Sequence, residues 1–301
     1  MKNSKILNTV LIAVTFLGVS CSSNDDNLNL NQDNYLNIPD IHFETKLIEQ
    51  GIDSDGIINQ KMLKSDAENV TRLDLNLSNN FGKISDLTGV EGFVNITFLS
   101  AANQKIKNVD LSFNTKLDTL YLLGNYISSI DVSRNTNLTF LDVQSNLLSS
   151  IDGLDKATNL KDLDLSSNYF ENFTVTNESL EVLHMSHNDL KQLNTDGLIH
   201  LKHIFIPSNK LETVDFNTNI ALETLLMAGN NIENINLENN SDLTHLYISG
   251  NSLNSLDVSN NQKLQELKVS GNPSLTCIKI QNGQNPYVIK SEYQELNIDC
   301  D

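Results

Sequence analysis

The sequence predicts an α/β-type repeat solenoid: a coil of short units with a parallel β-sheet on its concave face and a convex side that is mostly extended or turn. Three observations predict it. From Ile96 onward, similar stretches begin at Leu117, Leu138, Leu160, Leu180, Leu201, Leu222, Leu243 and Leu264, at steps of 20 to 22 residues. Within each unit the residues keep the pattern LxxLxLxxNxL, whose asparagine recurs eight times, at Asn125, Asn146, Asn168, Asn188, Asn209, Asn230, Asn251 and Asn272. Composition agrees: 301 residues with no Trp, only 39% hydrophobic and rich in Leu, Asn, Asp and Ser suit many short elements between polar turns.

At the N-terminus, residues 1–20 read as an export signal, with Lys2 and Lys5 followed by an apolar run from Ile6 to Val19 and small residues before Cys21. That run is shorter than the roughly 20 residues that cross a bilayer. Cys21, after Gly18-Val19-Ser20, resembles a bacterial lipobox, which implies a lipidated Cys21; the alternative is a plain secretory signal. The following SSNDDN resembles a short acidic tag for export to the outer face of an outer membrane. Residues 21–37 are expected to be the lipidated Cys and a tether, since they offer little to bury. Without the signal the chain keeps 18 basic against 38 acidic residues, a net charge of −20. That charge argues against nucleic acid, whose phosphates require a basic face.

Residues 38–69 are expected to cap the open end of the core. Phe43, Leu47 and Ile48 have helical spacing, and a turn and the stretch KMLKSDAENV follow. The stretch GIDSDGIIN resembles half of a calcium loop, with Asp53, Asp55 and Gly56 at its third, fifth and sixth places. Gly51 and Met62 then occupy its first and last ligand places, so it reads as a turn without a metal.

Residues 70–272 carry about ten units, the first starting at Val70. Apolar side chains at positions 4 and 6 point to one side of a short strand, and position 5 points to the other. An inward Asn at position 9 can bond the backbone groups that the turn leaves unpaired. A nested half-repeat, as in VDLSFN, IDVSRN and LDVSNN, repeats this after ten residues, which leaves no room for a convex helix. It is broken at 151–159, 173–179 and 193–200. The pattern is the signature of leucine-rich repeats and resembles the 21-residue bacterial subclass and the internalins, whose N-terminal cap residues 38–69 also resemble. In residues 273–301, expected to form a C-terminal cap, Cys277 and Cys300 are expected to pair, as the two cysteines left after lipidation.

Positions 3, 5, 7 and 8 should line up in columns across the sheet, free to vary and facing solvent. Column 5 contains Tyr121, Asp142, Asp164, His184, Phe205 and Tyr247; column 3 contains Phe98, Phe140, Asp162, His203 and His245. Outward aromatics gain nothing for the core and are what interfaces use as anchors. The Asp162, Asp164, His184, His187 and His203 group has the chemistry of a metal or acid–base site. An open sheet, however, offers no pocket or enclosing shell, so no metal, cofactor or catalysis is expected. The resemblance implies recognition of a protein partner through the concave face, with a glycan-binding module or a structural envelope component as alternatives. A monomer attached to the membrane through its N-terminal lipid alone is expected.

Overall fold

The computed structural model describes residues 34–76 and 84–300, so the signal stretch, Cys21 and most of the tether lie outside the described residues. The elements below belong to the unit that begins at Tyr35.

The cap begins with Tyr35–Asn37, antiparallel to Lys61–Leu63. Helix α1 (Ile41–Glu49) and helix α2 (Lys64–Glu68) flank the loop that leads to the second of these strands. Asp40 starts α1 by accepting from the amides of His42 (2.9 Å) and Phe43 (3.1 Å). Its other oxygen accepts from the Ser85 and Asp86 amides and the Ser85 hydroxyl, which ties the helix start to the first coil. Burial opposes the Asp40 charge, but the Ser85, Phe43 and His42 bonds outweigh it and hold the carboxyl below its ordinary range. Phe43, Leu47, Met62 and Ala67 are fully buried over Leu73, so the cap closes the end of the core.

Each unit then contributes a three-residue strand to one parallel sheet of 11 strands, running from Arg72–Asp74 to Tyr287–Ile289. Pairing advances by one unit without slippage: Thr119 faces Phe140, Leu120 faces Leu141 and Tyr121 faces Asp142. From Thr119–Tyr121 to Glu266–Lys268 the central residue of each strand of this sheet is buried and its neighbours are half-buried, as side-chain alternation requires. Leu99, Leu120, Leu141, Leu163, Leu183, Ile204, Leu225, Leu246 and Leu267 form one continuous apolar column.

The position-9 asparagines hold successive coils together. Asn125 donates to the Ala101 carbonyl of the preceding coil at 2.9 Å and accepts from the Ile106 amide at 3.1 Å. At the two ends of this ladder the longer glutamine takes over. Gln104 donates to the Leu75 carbonyl and accepts from the Ile84 amide. Gln294 donates to the Val269 carbonyl and accepts from the Ser291 amide.

A second ladder runs along the convex side. Asn114, Asn135, Asn219, Asn240 and Asn261 each donate to carbonyls of the coil before. Where the half-repeat is broken, Asn172–Thr174 and Gln192–Asn194 pair as short parallel strands, and Thr195 donates to the Asn219 side chain. Among the described residues the convex side is thus extended and turn-like apart from one short 3-10 helix, Val90–Gly92, in the first coil.

Two differences from the sequence pattern have physical causes. Residues 273–300 coil once more, with Tyr287–Ile289 on the long sheet and Cys277–Lys279 and Glu295–Asn297 on the convex side. Gln284 and Gln294 satisfy the backbone there, so the segment continues the coil without the LxxLxLxxN spelling. Cys277 and Cys300 form a disulfide. Position 8, grouped in the sequence with the free positions, is a left-handed turn residue in successive units. Asn103, Gly124, Ser145, Ser167, His187, Ser208, Gly229, Gly250 and Gly271 all have φ between 54° and 70°.

Candidate functional site

The long sheet places the two columns in register. Phe98, Thr119, Phe140, Asp162, Val182, His203, Thr224 and His245 follow one another along one column. Ser100, Tyr121, Asp142, Asp164, His184, Phe205, Leu226 and Tyr247 form the other. These side chains are half-buried because each leans on its neighbour one coil away, except Ser100, which is buried. His187 stands apart from both columns, in the left-handed turn.

The face has three zones. Near the cap, the Arg72 guanidinium lies 3.4 Å from the Phe98 ring centre. Phe98 and Tyr121 follow at 5.7 Å, and Tyr121 and Phe140 at 4.7 Å. Toward the other end, the His184 ring stacks on Phe205 with centres 4.4 Å apart and planes 10° apart. His203 lies 6.4 Å from the same Phe205 ring. Lys268 sits 3.7 Å over Tyr247, whose hydroxyl donates to Glu266 at 2.6 Å. His245 is 6.4 Å from Tyr247 and bonds the Thr244 hydroxyl.

Between the aromatic zones lie Asp142, Asp162 and Asp164, on two neighbouring strands. Burial pushes the Asp142 carboxyl up to about 6; the Gln144 amide opposes this, Asp164 and Asp162 add to it, and His184 reduces it. Asp162 is also raised, first by burial, with His184 pulling it back and Asp164 pushing it further. These aspartates take part in none of the ion pairs among the described residues, whereas Lys161, Glu181 and Lys202 pair along the neighbouring edge. The middle of the face therefore holds negative charge that the protein itself does not neutralise.

An adjacent feature escaped the column reading. Tyr126, Leu147 and Tyr169 immediately follow three successive ladder asparagines and are 51%, 40% and 55% exposed. Their amides bond carbonyls of the preceding coil, so the three lie in a stripe along one edge. The sequence signal was present as an apolar residue at position 10 in three consecutive units, against Asp189, Lys210 and Asn231 in the next three.

The comparisons with known proteins bear on the fold. A family model described as Leucine Rich repeats (2 copies) matches residues 136–176. No curated protein matches the sequence. Among solved structures, the functional domain of InlJ from Listeria monocytogenes aligns with a TM-score of 0.73 at 23% identity, over 89% of this chain and 63% of that one. The chain thus spans less than two thirds of the InlJ domain it matches. Internalin C2 from the same organism aligns with a TM-score of 0.53 at 18% identity, over 75% of this chain and 92% of that one. The structure of an octameric complex of Latrophilin 3, Unc5D and the leucine-rich repeats of FLRT2 aligns with a TM-score of 0.59 at 17% identity, covering 76% and 84% of the two chains. The Asn-laddered parallel coil, the repeats matched at 136–176 and these alignments give the chain a leucine-rich-repeat fold similar to that of the internalins.

Proposed function

We propose that the protein is a surface lipoprotein, anchored through Cys21, whose repeats bind a protein partner across the concave face in cell-surface recognition or adhesion. The observation that carries this reading is the concentration of Phe98, Tyr121, Phe140, Phe205 and Tyr247 on a sheet face where they add nothing to the core. Rigid aromatics with low ordering cost are the anchors that protein interfaces favour. The aspartates between them supply charge that a basic partner would complement. Leucine-rich repeats also form part of the FLRT2 assembly with Latrophilin 3 and Unc5D.

A protein ligand is favoured over a sugar by the ring geometry. Phe98, Tyr121 and Phe140 are tilted by 48° and 38° to one another, which gives no shared flat platform for a pyranose. The test is crosslinking capture from intact cells with residues 34–301 as bait, which keeps the Tyr35–Asn37 strand of the cap, beside a variant carrying Tyr121→Ala, Phe140→Ala and Phe205→Ala. One protein enriched by the native face and lost with the triple variant is the expected result. Equal capture by both would move the contact off this face, and retention on polysaccharide alone would replace the protein partner by a glycan. The anchor is tested separately, by fatty-acid labelling of the full chain and of Cys21→Ser.

A further inference from the structure

The two ends of the concave face hold cations of the chain itself, and they do so in the same way. Near the cap, the Arg72 guanidinium lies 3.4 Å from the centre of the Phe98 ring and 3.6 Å from the Asp74 carboxylate. At the far end, the Lys268 ammonium lies 3.7 Å from the centre of the Tyr247 ring and 3.3 Å from the Glu266 carboxylate. In both places one strand supplies the cation and the acid, from its positions 3 and 5, and the adjacent strand supplies the ring. A ring face attracts a cation through its quadrupole and the carboxylate adds a charge-assisted contact, so together they make a cation seat.

The middle of the face brings rings and acids together again, on two parallel diagonals. Register puts Tyr121 beside Asp142 in one column and Phe140 beside Asp162 in the other, on strands about 4.8 Å apart. Tyr121 and Phe140 form the first diagonal, with ring centres 4.7 Å apart. Asp142 and Asp162 form the next, and Asp164 stands beside Asp142 in its column. All five side chains are half-buried.

The chain brings no lysine or arginine of its own to these diagonals. Positions 3 and 5 hold neither residue in any strand from Phe98–Ser100 to His245–Tyr247. Lys161 and Lys202, which precede two of these strands, are held by Glu181 at 3.1 and 2.9 Å. On the other side of the acids, the His184 ring is stacked on Phe205. Burial raises the Asp142 and Asp162 carboxyls, Asp164 adds to each, and His184 relieves each only in part.

Resting on the protein-binding reading above, we infer that the partner seats an arginine side chain in the middle of this face, its stem across Tyr121 and Phe140 and its guanidinium on Asp142 and Asp162. Arginine fits better than lysine because a planar fork can lie against a ring and still bond two carboxylates at once, whereas an ammonium is a point charge. Its apolar stem also covers rings that are tilted by 38° and offer no flat platform. Charge complementarity thus selects a partner whose arginine lies between apolar flanks, since aromatic zones stand on both sides of the acids.

The experiment titrates the isotope-labelled full chain, at neutral pH and physiological salt, with N-acetylarginine amide, and follows the amide NMR shifts. N-acetylcitrulline amide, similar in shape but neutral, and N-acetyllysine amide are titrated beside it. Saturable shifts centred on Tyr121, Phe140, Asp142 and Asp162 are expected with the arginine probe, with Kd at least about tenfold weaker for the citrulline probe. The chain carrying both Asp142→Asn and Asp162→Asn should lose arginine binding by a similar factor while melting no lower than the native chain. Glu266→Gln, at the far end, should leave it unchanged. Citrulline or lysine binding as tightly as arginine, shifts centred elsewhere, or unchanged binding by the doubly substituted chain overturns the inference. The same double variant is then added to the crosslinking capture. A partner lost with the aromatic triple variant and with the aspartate pair supports the inference. A partner lost with the aromatic variant but kept by the aspartate pair overturns it and leaves the protein-binding reading standing. Equal capture by all three chains removes that reading, and the inference with it.

Discussion

Asn146 holds Leu122 of the preceding coil: its Nδ2 donates to the Leu122 carbonyl at 3.0 Å, while its Oδ1 accepts from the Ile127 amide at 3.0 Å. Both backbone groups are buried; the Leu122 carbonyl also accepts from Asn125 Nδ2 at 2.9 Å, whereas Asn146 Oδ1 is the acceptor for the Ile127 amide. Asn146→Ala leaves the Ile127 amide unpaired and opens a small void. The expected loss is about 1–3 kcal/mol, the cost of one buried orphan. Urea unfolding with an unchanged m value, accompanied by faster amide exchange at Ile127 but not at Leu148, whose amide Asn168 holds, would show that the loss is localised to the ladder.

Much of this architecture was legible because the ladder asparagines and apolar columns repeat, and repetition turns a weak local signal into a strong one. The register of Phe98, Tyr121, Phe140 and Phe205 followed from unit length alone. Elements that depart from the spelling while serving the same physics were not legible. Gln104 and Gln294 reach the same backbone groups with one more methylene, and the last coil is held by Gln284 and Gln294. The burial of Glu44 was hidden because a carboxylate between Phe43 and Leu47 reads as the polar face of α1. The three zones of the candidate face also needed coordinates, because columns give order along the sheet but not which rings lean together.

The turn after each strand holds position 8 in the left-handed region, and His187 does so at φ 54° without the freedom of glycine. A left-handed non-glycine residue costs about 1–2 kcal/mol, and glycine gives back about 0.5–1 kcal/mol in unfolded-chain entropy. His187→Gly and Ser208→Gly should therefore each stabilise the protein by about 0.5–1 kcal/mol in urea unfolding. Gly250→Ala should do the reverse: its added Cβ finds ordinary contacts at 3.7 Å from the Gly229 nitrogen, so the cost is that of the φ of 64° alone. No change in either direction would mean that these turns relax without cost.

The disulfide between Cys277 and Cys300 closes a separation of 23 residues around the last coil. By the chain-entropy account it stabilises that coil by about 3 kcal/mol. Replacing both cysteines with serine should expose the amides of Cys277–Lys279 and Glu295–Asn297 to exchange first, while the coils around Leu141 keep their protection. Uniform loss of protection would show that the ends and the middle unfold as one unit.

The acidic middle of the face makes stability depend on pH in a direction fixed by Asp142. In the folded protein its carboxyl keeps its proton up to about pH 6, against an ordinary value of 3.8. The folded state therefore binds more protons between these values than the unfolded chain does. Stability contributed by the neutral form is fully present below about pH 4 and is lost as pH rises through about 6. The groups facing Asp142 set this sign: burial comes first, Asp164 and Asp162 reinforce it, and the Gln144 amide and His184 oppose it. Asp142→Asn keeps an acceptor for the Gln144 amide and removes the titration. The variant should match the native chain near pH 4 and exceed it in urea midpoint at pH 7.5. A native advantage at pH 7.5 would mean that the ionised carboxylate is stabilising there and that its environment is wetter than the packing indicates. A partner that places a lysine or arginine over this trio would then gain affinity as pH rises from 5 to 7, because it would meet the charged form, and Asp142→Asn should flatten that gain.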